Sequence, residues 1–106
     1  MQDMELVCFQ IISFAGSAKS NYIEALKKAK AGDFKRAAEL IEEGSQEYLK
    51  AHKTHSQLIS QEANGEKVEV GMLLVHAEDQ LITTELIKLI AQENIELLKE
   101  IRGIDG

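Results

Sequence analysis

The stretch Gly71–Thr84, GMLLVHAEDQLITT, decides the fold of this chain. It is an apolar run that contains one histidine, His76, and one aspartate, Asp79. If the run is helical, residues three and four apart share a face, so His76, Asp79, Gln80 and Thr83 lie close together. Asp79 is then in register with an apolar stripe that we expect to be buried, formed by Met72, Val75, Ile82, Leu86 and Ile90.

The two ionisable side chains of this run mark a candidate functional centre. A carboxylate on a buried stripe is costly unless it finds a proton, a cation or a metal ion. A neutral imidazole beside it can act as a nucleophile or a base near neutral pH. An isolated histidine on an apolar helix is more often a hydrogen-bonded interface residue than a reactive group. The choice between these two roles depends on the pattern of the rest of the chain.

Length and composition predict one small helical domain, residues 1–106. A chain of 106 residues forms one domain with a modest core. The proportion of hydrophobic residues, 44%, is high enough for the chain to fold. The sequence contains no proline and is rich in alanine, leucine, glutamate and lysine, which favours long helices. A net charge of −6 without a basic stripe argues against nucleic acid as a partner.

The cysteine content and the hydrophobic runs favour a cytoplasmic protein that is not inserted in a membrane. The single cysteine, Cys8, excludes an intrachain disulfide and is most simply a core thiol in a reducing compartment. No hydrophobic run approaches the roughly 18 residues that a membrane span needs. The first residues carry Asp3 and Glu5 instead of the positive charges that begin a signal peptide.

Apolar spacing and local stop signals predict three helices, over residues 3–30, 34–63 and 71–101. Gly32 suits the end of the first helix and Asp33 the N-cap of the second, so the two are joined by a tight turn. The pair Asn64-Gly65 ends the second helix. Residues Glu66–Val70 alternate polar and apolar side chains, but no second strand exists to pair with them, so we expect a loop.

Each of the first two helices has an apolar stripe at helical spacing. Small side chains at Gly16 and Ser17 interrupt the first helix and suggest a close helix crossing there. Residues Arg102–Gly106, after the third helix, show no pattern that predicts regular structure. The first stripe comprises Met4, Val7, Cys8, Ile11, Ala15, Ala18, Tyr22, Ala25, Leu26 and Ala29. The second comprises Phe34, Ala37, Ala38, Ile41, Gly44, Tyr48, Ala51, His52, His55, Leu58 and Ile59.

Three helices joined in this way predict an all-α, antiparallel three-helix bundle. The first two turns of the third helix are apolar nearly all round, through Met72, Leu73, Leu74, Val75, Ala77 and Leu81. A helix that is apolar on every side is buried on every side, and two partner helices cannot cover all of it. We therefore expect copies of the third helix to pack together in a homo-oligomer.

The segment GMLLVHAEDQL resembles the lactose/cellobiose-type enzyme IIA components of the bacterial sugar phosphotransferase system. The segments FAGSAKS, EALKKAKAGDFKRAAELIEE and YLKAHKTHSQLI follow the family's order and spacing, so the resemblance covers about residues 5–101. It implies a homotrimer of three-helix subunits that carries a phosphoryl group on His76. It also implies phospho-HPr as the donor, a cysteine of enzyme IIB as the acceptor, and uptake of a β-disaccharide through the membrane component IIC.

The resemblance further implies that Asp79 from all three subunits lies near the trimer axis and holds a metal ion, magnesium. Three converging carboxylates repel one another, and a divalent cation with oxygen ligands or a shared proton would relieve this. The family usually has Gln and His where this chain has Glu78 and Gln80. The side chains of Gln80 and Thr83, or backbone N–H groups at the helix start, can support the charge on a phosphorylated His76.

Two other histidines and two other functions are alternatives to this interpretation. His52 and His55 supply only two nitrogens with no third ligand in view, so we expect hydrogen-bonded interface residues and not a zinc site. A two-component phosphotransfer module would have Lys and Gly after its histidine, whereas His76 is followed by Ala-Glu-Asp-Gln. A non-catalytic trimeric scaffold would not need Asp79 on its core stripe. No organic cofactor is expected, and lactose, cellobiose and diacetylchitobiose all remain open as the sugar.

Overall fold

The computed structural model describes residues 3–104, which form three α-helices. These are α1 (Met4–Lys30), α2 (Phe34–Ala63) and α3 (Met72–Ile101). α1 and α3 run parallel to each other and α2 runs antiparallel to both, in a rod of 54 × 20 × 19 Å. The described residues contain no strand, and Glu66–Val70 is a loop. The predicted all-α, three-helix fold and its helix boundaries are confirmed.

All three helices end in the same hydrogen-bonded motif around a glycine. Gly32, Gly65 and Gly103 have φ angles of 89°, 86° and 71°, a left-handed conformation that glycine adopts without steric cost. After α1, the Asp33 N–H donates to the Lys28 carbonyl and the Gly32 N–H to the Ala29 carbonyl, which is a Schellman motif. The Asp33 carboxylate also accepts from the Arg36 N–H, so one residue closes α1 and caps α2.

The core lies along α1, which packs against both other helices. Its buried residues are Val7, Cys8, Ile11, Ala15, Ala18, Tyr22, Ala25 and Ala29, with Met4 and Leu26 partly buried, as the spacing predicts. α2 contributes Ala37, Leu40, Gly44, Ala51 and Leu58. Leu40 was not on the predicted stripe of α2, and Ile59, which was, is exposed. α2 and α3 contact each other much less than either contacts α1, so α1 holds the bundle together.

The close crossing of α1 and α2 lies at Gly44 and not at Gly16. A Cβ atom on Gly44 would come within 2.6 Å of Cε1 of Tyr22, whose side chain is fully buried. A Cβ atom on Gly16 would have no described atom within 4 Å apart from its own surroundings in the helix. The predicted crossing at Gly16 and Ser17 is therefore wrong, and the small residue that the packing requires is on the partner helix.

α3 packs on α1 through one face and leaves the opposite face exposed. Its buried residues are Leu74, Ala77, Leu81, Thr84, Ala91 and Ile95. The stripe around Asp79 was expected to be buried, but within this chain every one of its members is exposed: Met72, Val75, Ile82, Leu86 and Ile90. When a helix is apolar on all sides, its sequence shows that it has several contact faces. The sequence does not show which of these faces are covered by the other helices of the same chain.

The C-terminal end of α3 is fastened to the turn between α1 and α2. The Arg102 guanidinium donates to the Lys30 carbonyl at 2.8 Å and lies 5.9 Å from the centre of the Phe34 ring. Arg102 therefore has a defined packing role, which the sequence pattern of residues 102–106 did not indicate. No helix within the described part of the chain is both long and apolar enough to cross a membrane.

Candidate functional site

His76 lies in the second turn of α3, with its side chain exposed to solvent. The helix begins after Gly71, which supplies no side-chain cap, and its first main-chain bond joins the Val75 N–H to the Gly71 carbonyl. The N–H groups of the first turn thus lack partners within the helix, and the helix dipole places partial positive charge at this end. The ring of His76 can be reached from outside and stands where added negative charge is favoured.

Gln80 and Thr83 lie on the same face of α3 as His76, and both bind a residue that the sequence did not reveal. The Lys19 ammonium on α1 donates to Oε1 of Gln80 at 2.9 Å and to Oγ1 of Thr83 at 3.2 Å. These pairs are 61 and 64 residues apart in the chain, so no local signal connects them. Gln80 and Thr83 lie on the same face of α3 as His76, as the spacing predicts, and the Lys19 ammonium joins this group.

Thr84 fixes the register of α1 against α3 and so places Lys19. Its side chain is fully buried, and its hydroxyl hydrogen points between the carbonyl oxygens of Gln80 at 2.6 Å and Ala15 at 3.2 Å. Ala15 precedes Lys19 by one helical turn. Because side chains on a helix lean toward its N-terminus, Lys19 reaches back toward Gln80 and Thr83.

The Asp79 carboxylate has no charged partner in the described part of the chain. Its carboxylate is exposed, and no Lys, Arg or His side chain of residues 3–104 lies within ion-pair distance of it. No three His, Cys, Asp or Glu side chains within the same range come together as a metal site would require. One carboxylate is far fewer than the six oxygen ligands of magnesium, so the residue fits a metal site only if other copies of the chain contribute to it.

The α2 side of the site is formed by two polar contacts to α3. Nε2 of His55 lies 2.6 Å from Oε1 of Glu78, and the Tyr48 hydroxyl donates to the Glu85 carboxylate at 3.2 Å. Burial, and next the negative charge of Glu85, raise the pKa of Tyr48 to about 12. The prediction of a hydrogen-bonded interface histidine is confirmed for His55. The same prediction is wrong for His52, which is exposed in this chain instead of lying in a helix interface, with its ring 6.1 Å from that of Tyr48.

Neither Cys8 nor the cavity at the end of the bundle offers an alternative functional centre. Cys8 is fully buried and burial raises the pKa of its thiol, which keeps it in the unreactive protonated form. A cavity of about 590 Å³ lies at the end of the bundle between Met4, Cys8, Gly71 and Leu74, and His76 does not line it. The candidate centre is therefore an exposed surface, which suits reaction with another macromolecule better than enclosure of a small substrate.

Comparison with known proteins gives consistent matches over most of the chain. Residues 6–99 match the family described as the lactose/cellobiose-specific IIA subunit of the PTS system. The lichenan-specific phosphotransferase enzyme IIA component of Bacillus subtilis strain 168 is 40% identical over 100 residues, covering 94% of this chain and 91% of that protein.

Solved structures of similar proteins share the fold. The crystal structure of the PTS cellobiose-specific enzyme IIA from Bacillus anthracis matches with a TM-score of 0.92 at 36% identity, covering 97% of this chain and 95% of that one. The IIA(chitobiose)–HPr complex of the N,N'-diacetylchitobiose branch of the Escherichia coli phosphotransferase system matches with a TM-score of 0.84 at 32% identity. That match covers 96% of this chain and 99% of the other.

Proposed function

The chain belongs to the lactose/cellobiose-specific IIA family of the sugar phosphotransferase system, and we propose that it carries its phosphoryl group on His76. Members of this family are phosphotransferases that act in sugar uptake, and this chain is one of them. The proposal concerns the residue that carries the group, the partners on either side of it, and the assembly in which it works.

The observation that carries the proposal is the exposed position of His76 near the positive end of α3. The chain has three histidines. His55 is engaged with Glu78, and His52 lies beside the ring of Tyr48 on α2. Only His76 combines exposure, a helix N-terminus and an amide side chain on its own helix face, which are the features that favour an added phosphoryl group.

The solved complex of a relative with HPr supports HPr as the donor, and membership of the family supports enzyme IIB as the acceptor. Phospho-HPr donates: a lone pair on one His76 ring nitrogen forms a bond to phosphorus as the N–P bond of the donor histidine breaks, and the electron pair of that bond stays on the donor ring. In the second step a cysteine thiolate of enzyme IIB attacks phosphorus and the His76 ring leaves. The membrane component IIC then takes part indirectly, through IIB. These exchanges take place in the cytoplasm, where a free Cys8 stays reduced.

The exposed face of α3 supports assembly into a trimer. Val75, Asp79, Ile82, Leu86 and Leu89 are spaced alternately four and three residues apart, which is the spacing of a coiled-coil seam. Their apolar members are all more than half exposed in the single chain. Copies of α3 that pack along this seam bring one Asp79 from each subunit to the axis. Magnesium held by these carboxylates would neutralise their mutual repulsion, and this structural role is the chemistry the ion supplies.

We infer that the sugar whose uptake this chain serves contains β-linked units. The similar proteins named above serve lichenan, cellobiose and chitobiose, all built from β-linked sugar units. Because they differ from one another while sharing this fold, the choice among β-disaccharides would rest on the partner proteins, through the surface that this chain presents to them.

Phosphorylation with purified components tests the proposal. The chain is incubated with phosphoenolpyruvate, enzyme I and HPr, and its intact mass is measured. We expect one added phosphoryl group, lost in His76→Ala and retained in the matched variants His52→Ala and His55→Ala. Labelling that survives in His76→Ala would assign the group to another residue. Transfer to a response-regulator receiver domain, with none to IIB, would favour a two-component module.

A further inference from the structure

The Lys19 ammonium has no anionic partner among residues 3–104. Among the residues from 3 to 104, the ion pairs involve Arg36, Lys50 and His55, and none involves Lys19. The Lys19 ammonium is partly buried and contacts two neutral oxygens instead, those of Gln80 and Thr83. A partly buried positive charge without a counter-ion is costly, and it attracts an anion when one comes within reach.

Lys19 has one N–H group left to donate to such an anion. An ammonium group has three N–H donors, and two are used by Gln80 and Thr83. The Thr83 hydroxyl has a single hydrogen, which points to the Asp79 carbonyl at 2.9 Å, so it accepts from Lys19 and has no second hydrogen for a phosphoryl oxygen. The Gln80 oxygen faces Lys19, which turns its amide N–H groups away from Lys19 and leaves them available to donate.

The Lys19 ammonium is linked to His76 through Gln80, which it contacts. Gln80 follows His76 by four residues, so the two side chains are neighbours on the face of α3, about 5–6 Å apart at Cβ. Lys19 comes to this face from α1, and the buried Thr84 contact to Ala15 holds it in register. A phosphoryl group on the exposed ring of His76 adds two negative charges next to the unpaired cation.

We propose that Lys19 donates its remaining N–H to the phosphoryl group on His76, and that Thr83 positions Lys19 for this contact. This inference rests on the proposed function of His76 and adds a residue from another helix to the reacting group. Lys19 makes no bond to phosphorus and transfers no proton. It neutralises charge that is present on the phosphorylated chain and in the transfer step but absent before donor binding.

The test compares the equilibrium between phospho-HPr and this chain in matched variants. Lys19→Met keeps the length of the side chain and removes its charge, and we expect the equilibrium constant for phosphorylation to fall about tenfold or more, as for loss of a charge-assisted hydrogen bond. Lys19→Arg keeps the charge and should recover most of that loss. Lys27→Met removes an exposed charge from the same helix and should leave the equilibrium unchanged.

A second variant and a folding measurement separate charge from shape. Thr83→Val keeps the branched shape and removes the acceptor that holds Lys19, so we expect a smaller loss, of about a few-fold. Circular dichroism should show the same helix content and melting temperature in Lys19→Met as in the parent chain.

The outcomes distinguish this inference from the proposed function. An unchanged equilibrium in Lys19→Met, with His76→Ala unlabelled, overturns the role of Lys19 and leaves the role of His76 intact. A loss that Lys19→Arg does not recover also overturns it, because the lysine would then act by shape. Labelling that persists in His76→Ala removes the proposed function, and this inference with it.

Discussion

In the proposed trimer, replacement of Asp79 by leucine should remove the dependence of assembly on a cation. Asp79 lies on the seam between Val75 and Ile82, whose side chains are 55% and 64% exposed, and one turn further on Leu86 is 53% exposed. Packing of copies along this seam buries the apolar residues and at the same time brings like charges together. The sign of the effect depends on which of the two terms is larger.

The free energy gained by burying the apolar side chains and the repulsion between the carboxylates are of similar size. Full burial of a Val, Leu or Ile side chain contributes about 1.5–3 kcal/mol, so burying the exposed half of these three residues gives about 3–5 kcal/mol per chain, or about 9–15 for a trimer. Carboxylates that meet at about 5 Å repel by about 3 kcal/mol per pair at an effective dielectric constant near 20, which is about 10 kcal/mol for three pairs. Without a cation or protons the repulsion therefore cancels most of the gain.

Sedimentation equilibrium measures the outcome. The parent chain should have the mass of three copies in magnesium and a lower mass in EDTA. Asp79→Leu should remain a trimer in both buffers, and Asp79→Asn, which removes only the charge, should also be insensitive to EDTA. A parent chain that sediments as a single copy in magnesium, or an Asp79→Leu variant that dissociates, would refute the reasoning.

Three further predictions concern the fold around the site. Gly44→Ala should lower the free energy of unfolding by about 1–2 kcal/mol in urea titrations, because the overpacking cost against Tyr22, about 1–3 kcal/mol, exceeds the gain of up to about 1 kcal/mol in helix propensity; an unchanged midpoint would contradict the close contact. The buried Cys8 should resist thiol reagents at pH 8 and react on unfolding, and rapid reaction in the native chain would show that it is accessible. Tyr48 should ionise near pH 12 in an ultraviolet titration, and at a lower pH in Glu85→Gln. Since its pKa is raised on folding, the associated stability is complete below about pH 10 and is lost as the pH rises toward 12.

The helices were predictable because their signals are local. Gly32 and Asp33 lie at the turn between α1 and α2, and Asn64-Gly65 at the end of α2, as the residue types alone indicate. His76, Gln80 and Thr83 share a helix face, and their grouping followed from spacing within one segment. The α1 stripe was correct because each of its members faces the same two partner helices.

The features that escaped prediction depend on contacts between segments. Lys19 lies on a helix where lysine usually marks a solvated face, and its two acceptors lie more than sixty residues away. The crossing residue proved to be Gly44 and not Gly16, because the space is set by Tyr22 on the other helix. The stripe of Ile82 and Leu86 was expected to be buried, but periodicity does not distinguish burial within a chain from burial between chains.

The two loops that connect the helices differ in length, and this difference affects the order in which the helices fold together. Asp33 closes one helix and caps the next, so α1 and α2 form a hairpin of neighbouring segments whose contacts require little loop closure. α3 follows a longer connection, and its main support is the most distant helix along the chain. We therefore expect the hairpin to condense first and α3 to dock last, so that a newly synthesised chain becomes competent for phosphoryl transfer only at the final step of folding.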